Sequence, residues 1–178
     1  MEKNERKRAF IAIDVQNLWY GAIETYGPQF RVDYKKLKDI IAGSLEPESE
    51  IEAIAYLTEV DNRNYDIQSF ARLLGHLDYK VKCRRIRYSK EKNYVLHSDW
   101  DVGIAVDTME RLMNDKFDTF VLVSGDGDFA FLLDALKRKN KHVVVYSFGA
   151  STSHLLMRSA NILYTLDTKF VYGPRNRP

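Results

Sequence analysis

Two apolar runs that each end in acid set the limits on what this chain can fold into. Phe10-Ile11-Ala12-Ile13 leads into Asp14, with Asn17 three residues on, and Phe120-Val121-Leu122-Val123 leads into Ser124-Gly125-Asp126-Gly127-Asp128-Phe129. Short uninterrupted apolar runs are the pattern of strands buried on both faces, which parallel sheets require. Open α/β sheets gather their functional groups outside the C-terminal ends of such strands. Two strand ends delivering carboxylates to one rim point to a metal site.

Alternation continues along the chain. Leu18–Tyr26 and Tyr34–Ala42 read as helices, the second N-capped by Asp33 and stopped by Gly43. Ile51–Leu57 reads as a buried strand, and Asn64–Leu77 as a helix with Ile67, Phe70, Ala71, Leu74 and Leu77 on one side. Tyr79–Tyr88 is a basic strand, Ser89–Ser98 a polar loop, and a helix starts near Asp101. Strand Thr119–Val123, helix Phe129–Lys139, strand His142–Ser147, helix Ser153–Ser159 and strand Ile162–Leu166 follow. This regular order predicts a three-layer α/β fold with a mainly parallel sheet.

At 178 residues the chain suits one domain, and 27 Lys and Arg against 25 Asp and Glu leave a charge of only +2, so bulk charge selects no partner. The single cysteine, Cys83, excludes an internal disulfide and a Cys-rich zinc site, and its strand setting predicts burial as a small hydrophobe. There is no signal-peptide h-region and no apolar stretch of about 18 residues, so the expectation is a cytoplasmic protein with no membrane partner. His76, His97, His142 and His154 lack ligand spacing, and no P-loop or Ser-His-Asp pattern is present.

Parallel strands aim their C-terminal ends the same way, so Asp14 and Asp126 can converge. Clustered carboxylates raise one another's pKa, and hard oxygen ligands favour Mg²⁺ or Mn²⁺ over zinc. Asp128 suits a helix cap as well as a metal ligand. Asp99 and Asp101 sit at the positive end of a helix dipole. On an ideal helix Val102, Ala105, Val106, Met109 and Leu112 form the buried stripe, which puts Asp107 about 160° from its centre, in reach of Arg111 on a solvated face. Asn17 either caps the next helix or orients a scissile phosphate, and Ser124 can offer its hydroxyl and N–H to phosphate. Ser151, Thr152 and Ser153 read as helix-capping residues. Lys80, Lys82 and Arg84 alternate with Val81 and Cys83 to give one cationic side, with Lys92, Tyr88 and Tyr94 following, the ingredients of single-strand binding or, alternatively, of a basic edge strand that blocks edge pairing. A phosphatase of haloacid-dehalogenase type would need a second Asp where Gln16 stands.

Ile13-Asp14-Val15-Gln16-Asn17, then Asp101-Val102-Gly103-Ile104-Ala105-Val106-Asp107, then Ser124-Gly125-Asp126-Gly127-Asp128-Phe129 together resemble, in order and spacing, the NYN domain in its LabA-like (DUF88) branch. Ser153-His154-Leu155-Leu156 through Ala160-Asn161-Ile162-Leu163 is similar to the family's closing segment, where an Asp commonly stands at the place of Asn161. The resemblance implies a PIN-like (Rossmann-like) fold over residues 9–168, between a flexible basic N-terminus, 1–8, and a C-terminal tail, 169–178. It implies a metal-dependent ribonuclease with catalytic residues Asp14, Asn17, Asp101, Asp126 and Asp128. Asp14, Asp101, Asp126 and Asp128 would hold Mg²⁺ or Mn²⁺, and Asp99 and Asp107 are further acids. Ser124, Lys80, Lys82, Arg84 and Lys92 would contact RNA. The alternative it implies is a LabA-type regulator that binds RNA or a protein partner.

Overall fold

In a computed structural model describing residues 6–60, 66–86 and 100–173, the alternation becomes one parallel sheet with helices on both faces. The elements in chain order are β1 (Arg8–Asp14), α1 (Val15–Tyr26), β2 (Arg31–Val32), α2 (Tyr34–Ser44), β3 (Glu50–Val60), α3 (Ile67–His76) and β4 (Lys80–Ile86). Then come α4 (Asp101–Met113), β5 (Thr119–Val123), a 3₁₀ turn (Gly127–Phe129), α5 (Ala130–Arg138), β6 (His142–Phe148), α6 (His154–Ser159), β7 (Ile162–Leu166) and β8 (Val171–Tyr172). The six-stranded sheet has the order β4-β3-β1-β5-β6-β7, every neighbouring pair parallel. The chain therefore builds outward from β1 through β3 to β4, then returns to the other side of β1 and builds through β5 and β6 to β7. The reversal falls between β1 and β5, whose ends carry Asp14 and Ser124.

Alternate residues of the central strands feed two cores. Ile11, Ile13, Val121 and Val123 pack with Leu18, Leu37, Ile41 and Leu74 of α1–α3, and Phe10, Ala12, Phe120 and Leu122 pack with Ile104, Leu133, Leu136 and Leu156 of α4–α6. Helix starts follow the expected chemistry: the Asp33 carboxylate accepts the Lys36 N–H at 3.0 Å and Asp66 accepts that of Ser69 at 3.0 Å. Helix α1 begins at Val15, earlier than its apolar spacing suggests, because Asp14 is itself the cap. Residues 169–173, expected within a tail, are docked: β8 pairs antiparallel with β2, and Phe170 is buried.

Helix α4 lies the other way round from its apolar spacing. Its inward face is Ile104, Asp107, Thr108 and Arg111, while Val102, Val106, Met109 and Met113 are 74%, 54%, 37% and 82% exposed. Asp107, expected on a solvated face, is instead buried. Its carboxylate accepts hydrogen bonds from the Tyr56 hydroxyl, at 2.8 Å, and from Lys82 Nζ. Arg111 spans the Glu52 carboxylate with Nε at 2.9 Å and Nη2 at 3.0 Å, and its guanidinium lies 4.5 Å from the centre of the Phe10 ring. These polar anchors decide the orientation, since a charge taken from water without a partner costs more than an exposed methyl group. Cys83 is exposed rather than buried, because β4 is an edge strand and only Val81, earlier on the same side, packs against the core.

Two substitutions test this seating by urea unfolding. Ile104→Ala should cost about 3 kcal/mol, as a fully buried aliphatic group does, and Tyr56→Phe about 1–2 kcal/mol for the lost bond to a charged acceptor.

Candidate functional site

The site lies in the crevice at the reversal. Strand β1 carries Asp14 to its last position, where it has the same facing as Phe10 and Ala12, toward α4 and α5. Asp14 is only 6% exposed. One of its carboxylate oxygens accepts the Asn17 N–H at 3.0 Å, and the other accepts a long hydrogen bond, 3.4 Å, from the Ser124 hydroxyl. The same Ser124 oxygen accepts the Asp126 N–H at 3.2 Å. One hydroxyl thus links the two acidic strand ends.

Asn17 does not cap α1, a task Asp14 performs. Its side-chain carbonyl accepts the Gly125 N–H at 2.9 Å, closing the gap between β1 and β5. Gly125 is there because nothing larger fits: a Cβ would stand 2.2 Å from the backbone oxygen of Ser151. The Gly125 carbonyl in turn accepts the Ser153 N–H at 2.9 Å, so the loop before α6 closes over the same turn. Asp126 caps the 3₁₀ turn, its carboxylate accepting the Asp128 N–H at 3.0 Å. Ser153 caps α6 as expected, with Leu155 N–H donating to its hydroxyl at 3.3 Å.

Burial pushes the Asp14 carboxyl up to about 6, and the nearby charge of Asp126 adds to it. The hydrogen bonds from Asn17, Ser124 and Gln16 pull the other way without restoring the ordinary value. At neutral pH the crevice therefore holds a desolvated anion beside a second carboxylate.

The other expected residues are placed differently. Asp128 is exposed, and Asp101 is half-buried at the start of α4, which packs against the 3₁₀ turn. Among the described residues no three His, Cys, Asp or Glu side chains lie close enough together to hold an ion, and the acids the structure joins are Asp14 and Asp126. Lys80, Lys82 and Arg84 do share one side of β4, and that side faces α4. Lys80 Nζ bonds Glu52 at 2.9 Å, Lys82 bonds Asp107, and the Arg84 guanidinium lies 5.9 Å from the Trp100 ring centre. The pairing with Arg111 above all holds the Glu52 carboxyl down at about 2, Lys80 adding to the effect. Lys92, Asp99, Tyr88 and Tyr94 lie outside the described residues.

Sequence reasoning passes over Trp100 and Thr58. The indole N–H of Trp100 donates to the Leu57 carbonyl at 2.9 Å and its ring lies 5.3 Å from that of Tyr56, pinning the start of α4 to β3. Gly103 makes room for it, since a Cβ there would come within 2.5 Å of the indole ring. The glycine so early in the helix is the signal that could have found this contact. The Thr58 hydroxyl, on the same side of β3 as Tyr56, is buried and has no hydrogen-bond partner among the described residues.

Because the folded-state pKa of Asp14 is raised, its charge destabilises the fold above about pH 6, and that cost fades as pH falls toward 3.8, the ordinary value. Asp14→Asn, which keeps a capping oxygen, should therefore unfold at higher urea than wild type at pH 7.5, by roughly 2–3 kcal/mol, and match it near pH 4. Gly125→Ala should lower stability by more than about 2 kcal/mol in the same assay, the signature of a clash against backbone.

Residues 8–167 match the NYN domain family. The curated protein "Low amplitude and bright protein LabA" of Synechococcus elongatus is 28% identical over 144 residues, covering 79% of this chain and 73% of that protein. A crystal structure of a Vibrio parahaemolyticus protein of unknown function, VPA0982, superposes with a TM-score of 0.79 at 29% identity, covering 97% of this chain and 100% of that one. With a family match over residues 8–167, the chain belongs to the NYN domain family, of PIN-like nuclease-type fold.

Proposed function

We propose that this protein is a metal-dependent ribonuclease working in the cytoplasm, with Asp14 and Asp126 as the core of a Mg²⁺ or Mn²⁺ site and RNA as substrate. The observation that carries the reading is the buried Asp14 carboxylate beside Asp126, joined through Ser124. The donor set fits a hard divalent cation: all its atoms are oxygens, and the charge it must neutralise is already in place. Asp101 and Asp128 are the further acids this reading assigns to the ion. A bound cation would supply a nucleophile at neutral pH and charge stabilisation of the phosphodiester in its transition state.

The chain's own groups have separate tasks. Asp14 and Asp126 hold negative charge at the crevice floor. Asn17 fixes the spacing of the two strand ends through the Gly125 N–H, and so positions both acids. Ser124 orients Asp14 and the Asp126 backbone with one hydroxyl. Arg84 and the outer part of the Lys80–Lys82 side lie along the rim of β4, where an RNA backbone would run, with Lys92 as a further contact.

A second reading, an RNA-binding or protein-binding regulator without useful turnover, is favoured by one observation: among the described residues two acids come together rather than three or four. One experiment separates the two. Wild type, Asp14→Asn and Asp126→Asn are incubated with labelled single-stranded and hairpin RNAs in Mn²⁺, Mg²⁺ or EDTA. The ribonuclease reading expects cleavage by wild type that EDTA abolishes and that either variant reduces by about 100-fold or more, with Mn²⁺ raising the melting temperature of wild type but not of Asp14→Asn. Salt-sensitive RNA binding with no cleavage by wild type, or cleavage undiminished in the variants, overturns it.

A further inference from the structure

Helix α4 turns its most apolar side to water. Val102, Val106, Met109 and Met113 are spaced four, three and four residues apart, which places them within a narrow seam on an ideal helix. That seam is diametrically opposite the inward row Ile104, Asp107, Thr108 and Arg111. All four seam residues are exposed, two of them more than 70%. The helix is thus fastened to the sheet by Asp107 and Arg111 and offers its hydrophobic face to something else. We propose that this face is the interface of a symmetric homodimer, in which α4 packs antiparallel against α4 of a second copy.

Self-pairing follows from the sequence of the seam. Centred between Val106 and Met109, an antiparallel pair sets Val102 against the second copy's Met113 and Val106 against its Met109. Short branched side chains then meet long flexible ones along the whole contact. One flank is complementary too: Leu112 falls opposite Ala105, so a large group meets a small one there. Such matching of a surface to itself is what a closed two-fold contact needs. Antiparallel packing is also the direction in which helix dipoles attract. Four side chains of this size supply roughly half of the ~800 Å² per partner that a standard interface buries. Phe131 at the start of α5 is a further exposed apolar side chain in the same helical layer, at 82%.

Sedimentation velocity across a dilution series tests the proposal. Wild type should sediment at twice the chain mass and dissociate on dilution, and Val106→Glu/Met109→Glu should sediment as a monomer at every concentration with an unchanged circular dichroism spectrum. Met113→Lys, at the most exposed seam position, is the second variant should the first lose its fold, and should weaken dimerisation at least tenfold. A wild type that stays monomeric overturns the proposal and leaves the seam to a different partner. A dimer that survives these substitutions overturns it as well, by placing the interface elsewhere.

Discussion

The hydrogen bond from the Gly125 N–H to the Asn17 side chain joins residues 108 positions apart, and the rest of the site depends on it. Where a parallel sheet reverses its order of construction, the two loops leave in opposite directions and a gap opens above the strands. Here an amide bridges that gap. With the strand ends held at this spacing, a single hydroxyl reaches both acidic segments, and Asp14 is buried deeply enough to feel Asp126. The electrostatic character of the crevice is a consequence of backbone geometry fixed by a neutral side chain.

Helix α4 shows the same economy on a larger scale. Two charged networks, Tyr56–Asp107–Lys82 and Arg111–Glu52–Lys80, hold it on β3 and β4, with Trp100 pinning its first turn. Because these contacts are directional, they set the helix's rotation as well as its position, a task that an all-apolar face performs less uniquely. The apolar residues were thereby released from the core.

Most of the fold was legible in the sequence for a simple reason: runs such as Phe10–Ile13 and Phe120–Val123 are apolar at every position, and only a sheet covered on both faces accommodates that. The acids at their ends were legible for the same reason, being fixed by where a strand stops. What could not be read was anything decided by groups distant in sequence. The seam of α4 has a cleaner apolar period than its inward face, and nothing local reveals that Tyr56, Lys82 and Glu52 wait on other strands to receive Asp107 and Arg111. The cationic side of Lys80, Lys82 and Arg84 was visible, but the carboxylates that occupy two of its members were not. Asn17 likewise offers the chemistry of a cap, and only the arrival of Gly125 gives its amide another acceptor role.

The loop before α6 carries a consequence of its own. Ser151 sits between two glycines of separate elements: a Cβ on Gly21 of α1 would meet its hydroxyl at 2.7 Å, and one on Gly125 would meet its carbonyl at 2.2 Å. One residue is thus wedged between the helix that follows the first acid and the turn that carries the second. Displacement of that wedge would slacken both contacts at once, so the loop acts as a mechanical coupling between the two halves of the crevice. Gly125 cannot acquire a side chain unless the loop retreats, whereas at Gly21 the Ser151 hydroxyl would first have to swing aside.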